Sequence, residues 1–373
     1  MKIKNLLTRR GLSHGLLTGL AITACALPEL NAAAGGISAY SEQTDPSSFI
    51  STSSPVYLPG QWSMATGGRL RGFVRPANGL NVAASANVYI DLFEPLSGQL
   101  KLGNASTLNL ESDLFLTSSA SLAVGTTSGH KASIGAAQAA TIHMGGDISI
   151  PAERTLQVTA SSLTLDGQGF TCSFAGQSAA LRINSGKILT LRNMVLNGLE
   201  GAEQIKGPGT LVLQNCVVNL PETTWTASWG NVRILVADDV VFRGGGKFTF
   251  GSASSLTVSA NSMLSFDNNT TFSFAPQDKS RNRLYFGDRS SILRLSGSTF
   301  CAPGQGGFQG VSLLKGTLVL DNKVTFSNSN NHSLAKAFTI GNGSESSDLA
   351  IRLNAGASIN LDCGAIDYQN VDA

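Results

Sequence analysis

The sequence predicts an all-β solenoid, and three observations predict it. An aliphatic pair flanking one residue recurs as Leu189-Thr190-Leu191, Leu211-Val212-Leu213, Ile234-Leu235-Val236, Leu256-Thr257-Val258, Leu293-Arg294-Leu295, Leu318-Val319-Leu320 and Ile351-Arg352-Leu353. From first residue to first residue the spacings are 22, 23, 22, 37, 25 and 33, a repeat with two insertions, and a period of that length belongs to stacked repeat architectures. Two residues after the triplets stand Asn193, Asn215, Asp238, Ala260, Gly297, Asn322 and Ala355. All are small or turn-tolerant, and Asn, Asp and Gly accept left-handed backbone best, so each triplet reads as a short strand ending in a corner. Composition is the third observation: 41 glycines with only 13% charged residues suit short strands and tight corners better than exposed helices.

The elements follow in order. Residues 1–34 read as an export signal, with Lys2, Lys4, Arg9 and Arg10 in a basic segment, a mostly apolar stretch over residues 11–24, and Ala32, Ala33 and Ala34 as cleavage context. Two other readings of the same segment stay open. Ile22-Thr23-Ala24-Cys25 resembles the lipobox of bacterial lipoproteins, which would make Cys25 the lipidated first residue and the only route to a membrane. Thr8-Arg9-Arg10-Gly11-Leu12 loosely resembles a twin-arginine signal. Residues 35–95 carry five prolines and Ser/Thr-rich stretches, and are expected to form a linker and N-terminal cap covering the first open edge of the solenoid. From residue 96 to 373, period-two alternation broken by Gly, Asn and Ser marks strands and turns, beginning with Leu100-Lys101-Leu102, Leu108-Asn109-Leu110 and Leu114-Phe115-Leu116.

Charge excludes one function class. The chain has 26 basic and 24 acidic residues; without the four basic and one acidic residue of the leader, 22 face 23. A nucleic-acid binder needs a basic stripe to displace counterions, and a neutral chain has none. Beyond the leader stand Cys172, Cys216, Cys301 and Cys363, far apart and without a CxxC spacing, which allows disulfides in an exported protein but favours buried small hydrophobes. His130, His143 and His332 share no ligand spacing with them, so no metal site is expected.

At Leu163-Thr164-Leu165-Asp166-Gly167-Gln168-Gly169, followed by the stacked triplets and their Asn corners, the chain resembles the pectin-lyase-like superfamily over roughly residues 96–365. The resemblance implies a single-stranded right-handed parallel β-helix. It leaves function open, because that superfamily holds pectate lyases, polygalacturonases and the non-enzymatic passenger regions of bacterial surface adhesins. Its polygalacturonases use an Asn-x-Asp, an Asp pair, a Gly-His-Gly and an Arg-x-Lys on neighbouring coils. Here there is an adjacent pair, Asp238-Asp239, with Arg233 nearby, but Asn360-Leu361-Asp362 lies several coils away and no Gly-His-Gly exists. A carboxylate pair can divide into acid and base where its two environments differ, yet Asp238 also occupies the recurrent corner. A lyase would need clustered acidic residues to hold calcium, and Asp166 and Asp238 are about three coils apart.

Two segments are candidates for binding. Residues 221–230 carry Trp225 and Trp229, whose rings could stack on sugar faces if exposed or fold back over the solenoid. Residues 277–289 concentrate Asp278, Lys279, Arg281, Arg283, Asp288 and Arg289, and Arg281 and Arg283 could bind an acidic glycan where the run is not simply a solvated loop. The expectation is an exported, non-enzymatic rod with a structural or adhesive role at the bacterial envelope or outside the cell, contacting polysaccharide or an envelope or host surface and using no cofactor. The alternative is a polysaccharide lyase or glycoside hydrolase acting on an acidic polysaccharide, with calcium only if a lyase.

Overall fold

The computed structural model describes residues 56–58, 62–64, 67–72, 74–76, 79–118, 120–125, 127–222, 226–251, 255–274, 284–302, 311–328, 336–341, 348–362 and 365–368. No helix occurs among them, and every pairing between named strands is parallel. Each strand pairs with the strand one coil away. Gln99–Leu102 stacks on Ser121–Val124, Thr107–Leu110 on Lys131–Ala136, and Leu114–Phe115 on Ala140–His143. Three strands per coil therefore give three stacked faces, a parallel β-solenoid.

The alternation dictates this shape. Strand residues alternate between two sides, and in Thr155–Val158 or Thr171–Phe174 the second and fourth residues are buried while the others are partly exposed. Because a coil repeats the pattern in register, one Leu, Ile, Val or Phe lands on another. Leu163, Leu189, Leu211, Ile234 and Leu256 form one such interior column. Each buried aliphatic contributes about 1.5–3 kcal/mol, and the column is a core extended in one dimension.

Between two of the faces the corner is a single residue. Ile188–Asn197, Thr210–Asn219 and Arg233–Arg243 run through it as continuous strands, bent at Asn193 (φ 53°), Asn215 (φ 50°) and Asp238 (φ 55°). A left-handed corner residue costs least when it is Gly, Asn or Asp, and the side chains here tie successive coils. Asn215 Nδ2 donates to Asn193 Oδ1 at 2.9 Å, and Asn193 Nδ2 to Asp166 Oδ1 at 3.0 Å. Gly297 and Asn322 also sit at positive φ, at the next corner of their coils. At the other two expected corners the left-handed residue is one place later, at Asn261 and Gly356.

Two boundaries differ from the sequence reading. Gly79–Val82 and Asn87–Leu92 stack in register on Gln99–Leu102 and Thr107–Leu110, so coil stacking includes residues assigned to the cap. Val82, Val88 and Ile90 are interior residues of ordinary coils. The 37-residue spacing is not one insertion. Leu256 stacks on Leu284 and Leu264 on Leu293, offsets of 28 and 29, so the triplet at Leu293 belongs to a different face from the triplet at Leu256.

Inside the second half, aliphatics give way to rings. Phe242, Phe248, Phe250, Phe266, Phe272, Phe274, Phe300 and Phe326 are all buried. Phe266 and Phe272 lie 4.3 Å apart between centroids and 6° from parallel, and Phe250 stacks on Phe274 at 5.4 Å. Cys172 and Cys216 are buried thiols, and burial pushes their pKa values up to about 12 and about 11. They occupy separate interior positions, Cys172 over Leu196 and Cys216 under Met194, and act as small hydrophobes. Cys301 is buried as well.

Candidate functional site

The residues singled out from sequence are not brought together. Asp238 is the corner residue, exposed, accepting from Gln214 Nε2 at 2.9 Å while its own N–H donates to Ser262 Oγ at 2.9 Å. Asp239 follows it, exposed, at the start of the next face. Arg233 begins the preceding face, five residues before the corner, which at the rise of an extended strand places its backbone about 16 Å away. Arg192 turns from this group and donates from Nη2 to Asp166 Oδ2 at 2.8 Å.

Of the two readings open for the tryptophan loop, Trp229 takes the one in which the ring folds back into the solenoid. Its ring is 1% exposed, 4.9 Å from the Phe248 centroid and 5.8 Å from that of Phe242. It fills the start of the phenylalanine core because that core needs a large ring there. Trp225, Arg281, Arg283, Cys25 and Cys363 lie outside the described residues, as does the export signal.

The cluster richest in chemical groups is one that the sequence reading did not propose. On the outer side of one face, Phe115, His143, Asp166, Arg192 and Gln214 occupy the same register position in successive coils. The Phe115 and His143 rings stack at 4.3 Å and 5° from parallel. His143 Nδ1 lies 3.6 Å from Asp166 Oδ2, and Nε2 lies 3.9 Å from Asp113 Oδ2. Asp113 also accepts from the Thr141 backbone N–H at 2.7 Å, joining adjacent coils. Their signal was the coil period itself, which places residues 115, 143, 166, 192 and 214 in one column once each strand is assigned to its face.

Asp166 is the hub of this stripe. Burial pushes its carboxyl pKa up, but hydrogen bonds from Arg192 and Asn193, the Arg192 charge and the Gln168 backbone together hold it below the ordinary value. Both oxygens are occupied, so Asp166 is an anionic anchor for Arg192 and Asn193, poorly suited to taking a proton from a substrate. Asp113 and Phe115, each about half exposed, are the parts of the stripe open to an outside molecule.

A second feature lies along another corner. Asn197, Gly198, Asn219, Leu220, Pro221, Arg243, Gly244 and Asn268 line an open hollow of about 470 Å³. Asn219 Nδ2 donates to Asn197 Oδ1 at 2.7 Å and Arg243 Nε to Asn219 Oδ1 at 3.0 Å, a ladder of the same kind as at Asn193 and Asn215. Among the described residues no group of three or more His, Cys, Asp or Glu side chains is arranged to hold a metal ion. Comparison with protein-family models, curated proteins and solved structures found no match to this chain.

Proposed function

We propose that this chain is an exported, non-enzymatic β-helix rod of the pectin-lyase-like kind, with a structural or adhesive role at the bacterial envelope or outside the cell. The observation that carries the reading is the employment of the acidic residues. Asp238 shapes a corner, Asp166 is held by Arg192 and Asn193, and Arg233 stands apart from both, whereas a hydrolase or lyase needs an acid, a base and a charge stabiliser around one reacting bond. A rod of regular coils with short polar ladders on its flanks suits lateral contact instead. The half-exposed Phe115 ring offers an apolar face to a sugar ring, with Asp113 beside it to accept hydroxyl hydrogen bonds.

The test is co-sedimentation of the purified chain with insoluble neutral and acidic polysaccharides, comparing wild type with Phe115→Ser/Asp113→Ala. Retention that falls several-fold in the double variant supports adhesion through this stripe. Retention unchanged by the substitutions removes the stripe from the contact surface, and no retention on any polysaccharide leaves the structural role.

A further inference from the structure

The ladder of Asn197, Asn219 and Arg243 ends in a guanidinium, and that fixes the direction of every hydrogen bond in it. Arg243 can only donate, so the Asn219 oxygen accepts from Arg243 Nε at 3.0 Å and Asn219 Nδ2 turns to Asn197, donating to Oδ1 at 2.7 Å. Asn197 keeps its Nδ2 unused, and Arg243 keeps both terminal nitrogens unused. Neither residue makes another hydrogen bond or an ion pair among the described residues. Both line the hollow of about 470 Å³, whose wall therefore carries free donors at each end of the ladder. The lining holds one cation and no carboxylate. Two acids nearby leave that cation uncompensated. Asp267 follows Phe266, which stacks on Phe242, and is held by Arg294 Nη1 at 3.1 and 3.2 Å while accepting from Ser265 Oγ. Glu222 packs beside Gly245 and makes no ion pair among the described residues.

We propose that this hollow binds a sugar carrying a single monoanionic group, a carboxylate or a sulfate half-ester, with the charge on Arg243 and the hydroxyls on the asparagine amides. Charge selects the anion. One uncompensated guanidinium matches one negative charge, and a fork already anchored through Nε offers two parallel N–H bonds to a pair of oxygens. Length selects the ring that carries the anion: Asn197 and Arg243 stand two coils apart, about 9–10 Å at the inter-strand spacing, a span that a bare ion does not bridge. The lining selects a sugar over a peptide. Leu220 is 1% exposed, so no pocket opens for an apolar side chain. Asn197 and Asn268 supply amides for hydroxyl groups, and the exposed Pro221 ring supplies an apolar patch for the C–H face of a pyranose.

This site goes beyond the adhesive stripe and does not rest on it, because Asn197 lies past the Asn193 corner, on a different face from Phe115. The experiment is a ligand-observed NMR titration of the full chain with methyl glucuronide, glucose 6-sulfate and neutral methyl glucoside. At least one charged sugar should bind about ten-fold more tightly than the glucoside, and the tighter of the two tells carboxylate from sulfate. Arg243→Gln should reduce that sugar to the level of the glucoside. Arg243→Lys should weaken it several-fold, since an ammonium keeps the charge but not the fork, and both variants should keep the wild-type circular dichroism spectrum. Phe115→Ser/Asp113→Ala should leave these affinities unchanged, so that the two sites can fail separately. Absence of binding by both charged sugars, equal binding of the glucoside, affinity undiminished in folded Arg243→Gln and Arg243→Lys, or inorganic sulfate or N-acetylglycine binding as tightly as the charged sugars would each overturn the proposal.

Discussion

Asn193, Asn215 and Asp238 show how one residue type serves a corner. Each holds a left-handed backbone, which costs a non-glycine residue about 1–2 kcal/mol, and each offers a short polar side chain to the neighbouring coil. Asn193→Ala should therefore lower stability by about 1–3 kcal/mol through strain and lost hydrogen bonds, and Asn193→Gly by about 1 kcal/mol, since only the hydrogen bonds go. Asp238→Asn should change it by less than about 0.5 kcal/mol. Urea midpoints rank the three. Asp166 supplies a pH test. Its folded pKa lies below the unfolded value, so its stabilisation is complete above the unfolded pKa of about 3.9 and is lost as pH falls through the folded one. The drop in urea midpoint between pH 5 and pH 3 should accordingly be smaller in Asp166→Asn than in wild type. These corner residues were legible in the sequence because their spacing and chemistry coincide. The acid–base reading of Asp238-Asp239 was not decidable there, since adjacency in sequence says nothing about whether Arg233 lies at the same end of its strand.

At the level of elements, the aliphatic triplets located strands but not faces. Leu256 and Leu293 look alike in sequence, yet they lie on different faces, because two faces of this solenoid use the same Leu-x-Leu alternation. A better marker was present: Phe248, Phe272, Phe300 and Phe326 stack directly, at spacings of 24, 28 and 26, and trace one face through the region where the triplets change face. Phe272 touches the rings of Phe248, Phe266, Phe274 and Phe300. Phe272→Ala should cost about 3–5 kcal/mol, read as a lowered urea midpoint, with hydrogen exchange accelerating first in the coils nearest the cavity because coils contact only their neighbours. Trp229 stands at the head of the same stack, and its indole Nε1 has no hydrogen-bond partner among the described residues. Trp229→Phe removes that unsatisfied donor and should cost less than about 1.5 kcal/mol, while Trp229→Ala should cost about 3–5 kcal/mol. A cost of Trp229→Phe as large as that of Trp229→Ala would instead mean that the indole N–H is hydrogen-bonded in the folded protein.

Taken as a whole molecule, the solenoid was readable from composition and period, and its lateral chemistry was not. A period fixes which residues lie near one another only after each strand is given a face, and the column Phe115, His143, Asp166, Arg192 emerges from that assignment rather than from any local motif. Polar side chains at the corners link coil to coil, Asn193 to Asp166, Asn215 to Asn193 and Gln214 to Asp238, and the proposed non-enzymatic role rests on Asp238 serving its corner rather than a reaction. The most direct measurement is product release from neutral and acidic polysaccharides, with and without calcium, by wild type and by Asp238→Asn/Asp239→Asn. No product from either protein, with both equally folded, is the predicted result; cleavage by wild type that disappears in the folded double variant would contradict it.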